Sequence, residues 1–134
     1  CIGGLLLGAI SAVAVDIEEH SAKAAAENAA LNELPPERYL TIWGNILTDE
    51  ALLAQVRACA PASGYDIIVV NIVADVIMAM SPLFAQLLAG QGQVICYGII
   101  ENRRAEVLQT LQALGLRLQA ERQDGGWCSM LFAL

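Results

Sequence analysis

Two polar residues, each placed directly after a run of apolar residues, carry the strongest chemical signal in this sequence. Asn71 follows the β-branched run at residues 66–70, and Asp16 follows the shorter run at residues 12–15. Runs of this kind are typical of parallel strands buried in a sheet. Ligands bind to open α/β sheets at the carboxyl ends of the strands. Both side chains are therefore candidates for ligand binding.

The two residue types suit different chemistry. The carboxylate of Asp16 can accept two charge-assisted hydrogen bonds, for which the hydroxyls of a ribose are suitable donors. A cap of the following helix is the alternative role, and spacing alone does not decide between them. The carboxamide oxygen of Asn71 can face an amino group without adding a charge. Its alternative role is that of a turn residue bonded to its own backbone.

The elements that would position these residues alternate along the chain. Periodicity and breaker residues predict strands at 12–15, 39–43, 66–70 and 93–98, helices at 19–31, 49–60 and 102–114, and a closing hairpin at 116–122 and 127–132. This order predicts an α/β fold whose sheet is mostly parallel, with an antiparallel hairpin at its edge.

Two breaker signals add detail between residues 72 and 93. Ser81 and Pro82 interrupt a long apolar helical stretch, and a serine before a proline predicts the start of a new helix at Pro82. The segment Gly90-Gln91-Gly92 predicts a turn before the next strand.

Composition excludes several classes of protein. The chain has 134 residues, of which 57% are hydrophobic, enough for one domain with a real core. Its net charge of −7 argues against binding to nucleic acid or to an anionic membrane, and weakly suits a basic protein partner. The uncharged segment at residues 1–15 is shorter than the roughly 20 residues that span a bilayer and lacks a basic start. We expect it to form a buried loop and strand.

Cysteine and histidine usage points away from a metal site. The four cysteines, at positions 1, 59, 96 and 128, form no C-x-x-C pair and are expected to be buried free thiols in a reducing cytoplasm. His20 is the only histidine, so a zinc site is improbable. Arg103 and Arg104 are expected to be solvated at the start of a helix.

With these residues in place, the chain resembles the class I S-adenosylmethionine-dependent methyltransferases. More narrowly, it resembles the ribosomal protein L11 methyltransferase (PrmA-like) family over nearly its whole length. The most specific segment is Asn71-Ile72-Val73-Ala74-Asp75. The other matching segments are Gly8-Ala9, Ala14-Val15-Asp16-Ile17, Glu27-Asn28-Ala29, Leu31-Asn32, Gly44-Asn45-Ile46-Leu47, Gly98-Ile99-Ile100 and Gly125-Gly126-Trp127.

The resemblance implies a Rossmann-like methyltransferase fold that binds S-adenosylmethionine and methylates lysine side chains and an N-terminal amine of a large-subunit ribosomal protein in the cytoplasm. It implies that Asn71 is catalytic and that Gly3, Gly4, Asp16, Asn45 and Asn71 contact the cofactor. Gly3 and Gly4 would let the backbone approach the methionine moiety, or form a plain turn. Asn45 would meet an adenine edge, or only close a turn. Asp16 and Asn71 are expected to face one groove.

Two departures from the family pattern shape the expectations for residues 1–134. The family's first strand and the start of its glycine loop precede Cys1, and its substrate-docking domain is absent. We therefore expect an incomplete catalytic domain, weakly active alone, with strands 12–15 and 66–70 each lacking a neighbour. A non-catalytic, cofactor-binding remnant is the alternative. A nicotinamide-binding domain is disfavoured because no G-x-G-x-x-G precedes Asp16.

Overall fold

The fold is known from a computed structural model that describes residues 1–134. The strands are β1 (Ala12–Asp16), β2 (Tyr39–Trp43), β3 (Tyr65–Asn71), β4 (Leu88–Ile100), β5 (Arg117–Asp124) and β6 (Trp127–Ala133). The helices are α1 (Ile2–Leu6), α2 (Glu19–Leu31), α3 (Glu50–Cys59), α4 (Ala74–Leu87) and α5 (Arg104–Ala113), with a 3-10 turn at Glu101–Arg103 before α5.

The chain divides into two compact units, Cys1–Cys59 and Ala60–Leu134. In the first, β1 and β2 form a parallel pair; in the second, four strands follow the order β3-β4-β6-β5. β3 and β4 are parallel, whereas β6 is antiparallel to both β4 and β5. The predicted parallel sheet with an antiparallel hairpin is confirmed, and β1 and β3 each have a strand partner on one side only. That residues 1–134 form one catalytic domain stays a prediction.

The first unit has a small core built around an alanine-rich helix. α2 packs against β2 through its short side chains, of which Ala22 and Ala29 are buried. Ile42 of β2 and Leu52 and Val56 of α3 are also buried. Alanine both favours the helix and lets its backbone lie close to a strand.

The second unit contains a larger core between one face of its sheet and helices α4 and α5. The side chains with at most 1% exposure in this cluster are Ile77, Phe84, Val94, Cys96, Ile99, Val107, Leu111, Leu116, Cys128, Met130 and Phe132. Burying one large apolar side chain contributes about 1.5–3 kcal/mol. This unit is therefore a rigid platform for any residue at its strand ends.

The predicted break at Ser81 and Pro82 is wrong, because α4 runs without interruption from Ala74 to Leu87. A proline inside a helix removes the amide that would bond the carbonyl four residues earlier, here that of Met78. The buried hydroxyl of Ser81 donates to this same carbonyl at 2.7 Å. The serine supplies the missing donor, so the helix continues through the proline.

The predicted turn at Gly90-Gln91-Gly92 is also wrong, because these residues lie inside β4. Tyr65 of β3 pairs with Leu88, and Ile67 pairs with Gln93, so the register shifts over this stretch. A Cβ on Gly92 would lie 2.8 Å from the carbonyl oxygen of Tyr65. Gly92 therefore allows a close approach of the two strands.

A β-bulge interrupts the pairing of β4 with β6. Cys96 pairs with Met130 and Ile99 pairs with Cys128, so Tyr97 and Gly98 together face Ser129. Side chains normally alternate between the two faces of a strand, but the extra residue lets Cys96 and Ile99, three positions apart, both enter the core. Tyr97 then points to the other face and is 53% exposed.

The N-terminal segment is less buried than expected. Leu5 is buried, but Leu6, Leu7 and Ile10 are 60%, 91% and 86% exposed. None of the helices has both the length and the apolar sequence needed to cross a bilayer. All four cysteines are free, yet only Cys96 and Cys128 are buried, and burial raises the pKa of the Cys96 thiol to about 12.

Arg103 and Arg104 are not the solvated pair expected from the sequence. Arg103 bonds the carboxylates of Asp75 and Glu106. Arg104 bonds both carboxylate oxygens of Glu121 on β5 through Nε and Nη2. These guanidinium groups tie the start of α5 to α4 and to the hairpin.

Candidate active site

Asp16 is the last residue of β1, and its carboxylate is exposed. Its Oδ1 accepts the backbone N–H of Glu18 at 2.9 Å, which shapes the turn into α2. Glu18, not Asp16, is the N-cap residue of that helix. One carboxylate oxygen therefore closes a turn, while no protein hydrogen bond engages the other and it can accept a ligand hydroxyl.

Trp43 lies beside Asp16, because the two residues are partners at the ends of β2 and β1. The indole Nε1 donates to the carbonyl of Ile17 at 3.1 Å, and the ring remains 60% exposed. The Ile17 side chain is 58% exposed. An exposed planar ring fixed next to a carboxylate suits the base and sugar of a nucleoside. Trp43 is not among the site residues predicted from the sequence, although its place at a strand end was a usable signal.

Asn45 follows β2 in a tight turn. Gly44 has φ +147° and donates its N–H to the carbonyl of Asp16 at 2.9 Å. The Oδ1 of Asn45 accepts the N–H of Leu47 at 2.9 Å. The turn role considered for Asn45 is therefore observed, while its Nδ2 remains a donor for a ligand. Adenine binding by Asn45 stays a prediction.

Gly3 and Gly4 lie in α1, where a loop was expected. A Cβ added to either glycine would meet no atom within 4 Å. No neighbouring atom thus requires glycine at these positions in the chain itself. Contact of Gly3 and Gly4 with a cofactor stays a prediction.

Asn71 is the last residue of β3 and its side chain is exposed. Unlike Asp16 and Asn45, it makes no hydrogen bond to its own turn. The turn role would require that bond, so the carboxamide is left with its full bonding capacity. α4 begins three residues later, with Val73 as its N-cap residue.

Gly98 provides the space that the Asn71 side chain occupies. Asn71 pairs with Tyr97 in the ladder between β3 and β4, directly before Gly98. A Cβ on Gly98 would lie 2.9 Å from Oδ1 of Asn71 and 3.3 Å from the carbonyl oxygen of Ile72. The backbone of Gly98 also has φ +81°, which disfavours any other residue. Gly98 lies in a segment that matches the family pattern, but its sequence context alone predicted no role for it.

An ion pair holds the segment that follows Asn71. Nη2 of Arg103 lies 2.5 Å from Oδ1 of Asp75 in the first turn of α4. The hydrogen bond and the positive charge of Arg103 lower the pKa of the Asp75 carboxyl from its usual value. Arg103 also bonds Glu106 on α5. Oδ1 of Asp75 is thus engaged in holding the first turn of α4.

The candidate residues form two groups, one in each unit. Asp16, Trp43 and Asn45 gather at the carboxyl edge of β1 and β2, whereas Asn71 and Gly98 lie at the carboxyl edge of β3 and β4. The first group offers hydrogen-bond acceptors, a donor and an exposed ring. The second offers one free carboxamide. That Asp16 and Asn71 face a common groove stays a prediction.

Comparison with known proteins gives one consistent answer. The family model "Ribosomal protein L11 methyltransferase (PrmA)" matches residues 1–134. Proteins of that name from Synechococcus sp. (strain RCC307) and Thermoanaerobacter pseudethanolicus are 32% and 36% identical over 94% and 93% of this chain. The chain spans only 39% and 36% of their lengths.

A solved structure shares the fold. The ribosomal protein L11 methylase from Lactobacillus delbrueckii subsp. bulgaricus superposes with a TM-score of 0.82 at 28% identity. The match covers 98% of this chain and 61% of that one. An Escherichia coli structure described as a putative methyltransferase, at 15% identity and a TM-score of 0.70, shares the fold alone.

Proposed function

The chain belongs to the ribosomal protein L11 methyltransferase family, and we propose that it transfers methyl groups from S-adenosylmethionine to amino groups of ribosomal protein L11. The proposed acceptors are lysine side chains and the N-terminal amine. A ribosomal substrate would place this activity in the cytoplasm. The observation that carries the proposal is the unbonded carboxamide of Asn71, which lies over Gly98 at the end of a strand of the larger core.

The chemistry assigned to Asn71 is positioning. The attacking amine must be neutral, with its lone pair directed at the methyl carbon and an N–H left to donate. Oδ1 of Asn71 accepts that N–H and fixes the direction of the lone pair, and such alignment accounts for much of the acceleration in two-reactant steps. A carboxylate at this position would favour the protonated ammonium, whereas a carboxamide adds no charge.

The first unit fits the nucleoside portion of the cofactor. The free oxygen of Asp16 accepts ribose hydroxyls, the indole of Trp43 lies against the base, and Nδ2 of Asn45 donates to an adenine nitrogen. Gly3 and Gly4 are assigned to the methionine portion. When bound, S-adenosylmethionine supplies a methyl group carried on a positively charged sulfur. The rest of the cofactor is the leaving group, and its sulfur becomes a neutral thioether.

Calorimetry and a methylation assay test the proposal together. The protein is titrated with S-adenosylhomocysteine and then incubated with methyl-labelled S-adenosylmethionine and purified L11. We expect micromolar binding, and labelled L11 whose mass increases by whole methyl groups. Cofactor binding without labelling of L11 supports the non-catalytic alternative. If the protein neither binds the cofactor nor labels L11, the proposal is wrong. NADH is the control ligand and should give no heat.

A further inference from the structure

A groove crosses the outer face of the second unit's sheet, opposite its core. It has a volume of about 170 Å³, and its walls are the half-exposed rings of Tyr97 and Trp127. The polar lining comes from Arg122, Asp124 and Ser129. The pairing of β5 with β6 explains why these residues share one groove, because Arg122 lies opposite Ser129 and Asp124 lies opposite Trp127.

One wall of the groove, Tyr97, is the residue that pairs with Asn71 in the sheet. The bulge at Tyr97 and Gly98 turns the tyrosine ring to the outer face. Trp127 pairs with Ile100 at the end of β4. A bound chain could therefore pass from Asn71 over Tyr97 to Trp127 and end at Asp124 in the hairpin.

Size and chemistry restrict the occupant. Pockets for whole ligands and cofactors measure about 300–1,000 Å³, so this groove suits one or two side chains. Two aromatic rings and a carboxylate attract an alkylammonium group, whose stem packs on the rings. Arg104 occupies Glu121, whereas Asp124 makes no ion pair. Arg122 also lies in the lining, but the chain's net charge of −7 favours a cationic occupant over an anionic one. The chain's net charge of −7 disfavours nucleic acid here.

We propose that this groove binds the lysine-containing peptide segment that carries the amine to be methylated. Tyr97 and Trp127 contact the apolar atoms of the segment, and Asp124 pairs with a cationic side chain next to the target. The inference rests on the proposed function of Asn71 and adds the surface that selects the protein substrate.

Fluorine NMR can observe both ligands separately, because the chain has two tryptophans, Trp43 and Trp127. The protein is labelled with 5-fluorotryptophan, and Trp127→Phe assigns the two signals. S-adenosylhomocysteine should shift the Trp43 signal, and added L11 should shift the Trp127 signal. If L11 is methylated but does not shift the Trp127 signal, the groove proposal is wrong and the proposed function stands. If an oligouridylate shifts the Trp127 signal and L11 does not, the groove binds RNA.

Kinetics give the second test. Asp124→Asn and Trp127→Ala should each raise the KM for L11 about ten-fold, a change of about 1.4 kcal/mol, with kcat and cofactor affinity kept within about two-fold. Methylation of N-acetyl-lysine amide, which has no flanking residues, should be unchanged. Asp66→Asn removes the same charge from the exposed start of β3 and is the matched control. Equal effects of Asp66→Asn and Asp124→Asn, or lost affinity for the small amide, would overturn the proposal.

Discussion

The two units treat the polar residues at their strand ends differently. In the first, Asp16 and Asn45 each use a side-chain oxygen to bond the backbone of their own turn. In the second, Asn71 makes no such bond and lies over a glycine that leaves it room. A ligand-binding edge can thus be built from residues that also stabilise the loop, whereas the residue proposed to direct the reaction keeps all its bonding capacity for the substrate.

The two units also differ in the size of their cores, and the unit that contains Asn71 has the larger one. The large cluster of buried side chains lies entirely in the second unit, between residues 70 and 132. The first unit relies on small alanine contacts and a two-stranded sheet. An unbonded side chain is held in place only when its surroundings are rigid, so the larger core belongs with Asn71.

The sharpest test of this difference is Asn71→Ala. We expect methyl transfer to fall about a hundred-fold, the scale of effect produced by misplacing a reacting group. Affinity for S-adenosylhomocysteine and the midpoint of thermal unfolding should hardly change, because the carboxamide bonds nothing in the chain. A stability loss comparable to that of a core substitution would show that Asn71 is structural after all.

Gly98→Ala tests whether the space beneath Asn71 matters. The new Cβ would displace Oδ1, and we expect activity to fall at least about ten-fold along with some stability. Gly115→Ala is the matched control, because Gly115 has φ +87°, close to the +81° of Gly98, but no atom within 4 Å of an added Cβ. The control should lose similar stability and no activity. Equal activity losses in both variants would contradict the positioning role.

A double-mutant cycle on α4 tests how the second unit keeps this helix continuous through Pro82. Ser81→Ala leaves the Met78 carbonyl unbonded in a buried helix, and we expect a cost of about 1–3 kcal/mol in the free energy of unfolding. Adding Pro82→Ala restores a backbone N–H for that carbonyl and should recover most of the loss. Denaturant unfolding of the two single variants and the double variant measures the coupling. Additive losses would mean that the hydroxyl does not replace the missing amide.

In the first unit, Asp16→Asn separates the turn from the charge. Asparagine can still accept the Glu18 N–H, so folding should be unaffected, while loss of the charge should weaken S-adenosylhomocysteine binding about ten-fold. Asp49→Asn is the control, because Asp49 also accepts a helix N–H, that of Leu52, and is not among the candidate site residues. Calorimetry of both variants decides whether the carboxylate of Asp16 contacts the ligand.

The smallest expected effect concerns the ion pair between Arg104 and Glu121. The hydrogen bond from Arg104 lowers the pKa of Glu121 from 4.5 to about 2. A lowered pKa stabilises the fold above pH 4.5, and this contribution is lost as the pH falls from 4.5 towards 2. Glu121→Gln should therefore reduce the free energy of unfolding by about 1 kcal/mol near neutral pH. The difference from the unsubstituted protein should vanish in acid, and a constant difference at every pH would contradict the ionic origin.

Local signals predicted much of this fold. The alanine-rich segment predicted the bounds of α2, the apolar run at residues 39–43 predicted β2, and the glycine pair at 125 and 126 predicted the hairpin. In each case the residues that decide the conformation are neighbours in sequence. The polar residues at strand ends were visible for the same reason.

Features that depend on distant partners were missed. Arg103 pairs with Asp75 across 28 positions and Arg104 with Glu121 across 17, so neither pair could be inferred from its own segment. The continuity of α4 depends on a hydroxyl direction that no propensity describes. The role of Gly98 depends on a side chain from the neighbouring strand.

The extra residue at Tyr97 and Gly98 makes β4 sensitive to changes in length. Removing either residue would leave Cys96 and Ile99 two positions apart, so both would still face the core and the pairing of β4 with β6 would become regular. The same deletion would close the void that receives the Asn71 amide. Surveys of length variants made by random codon deletion should therefore find that a deletion in this two-residue stretch keeps the fold and abolishes methyl transfer.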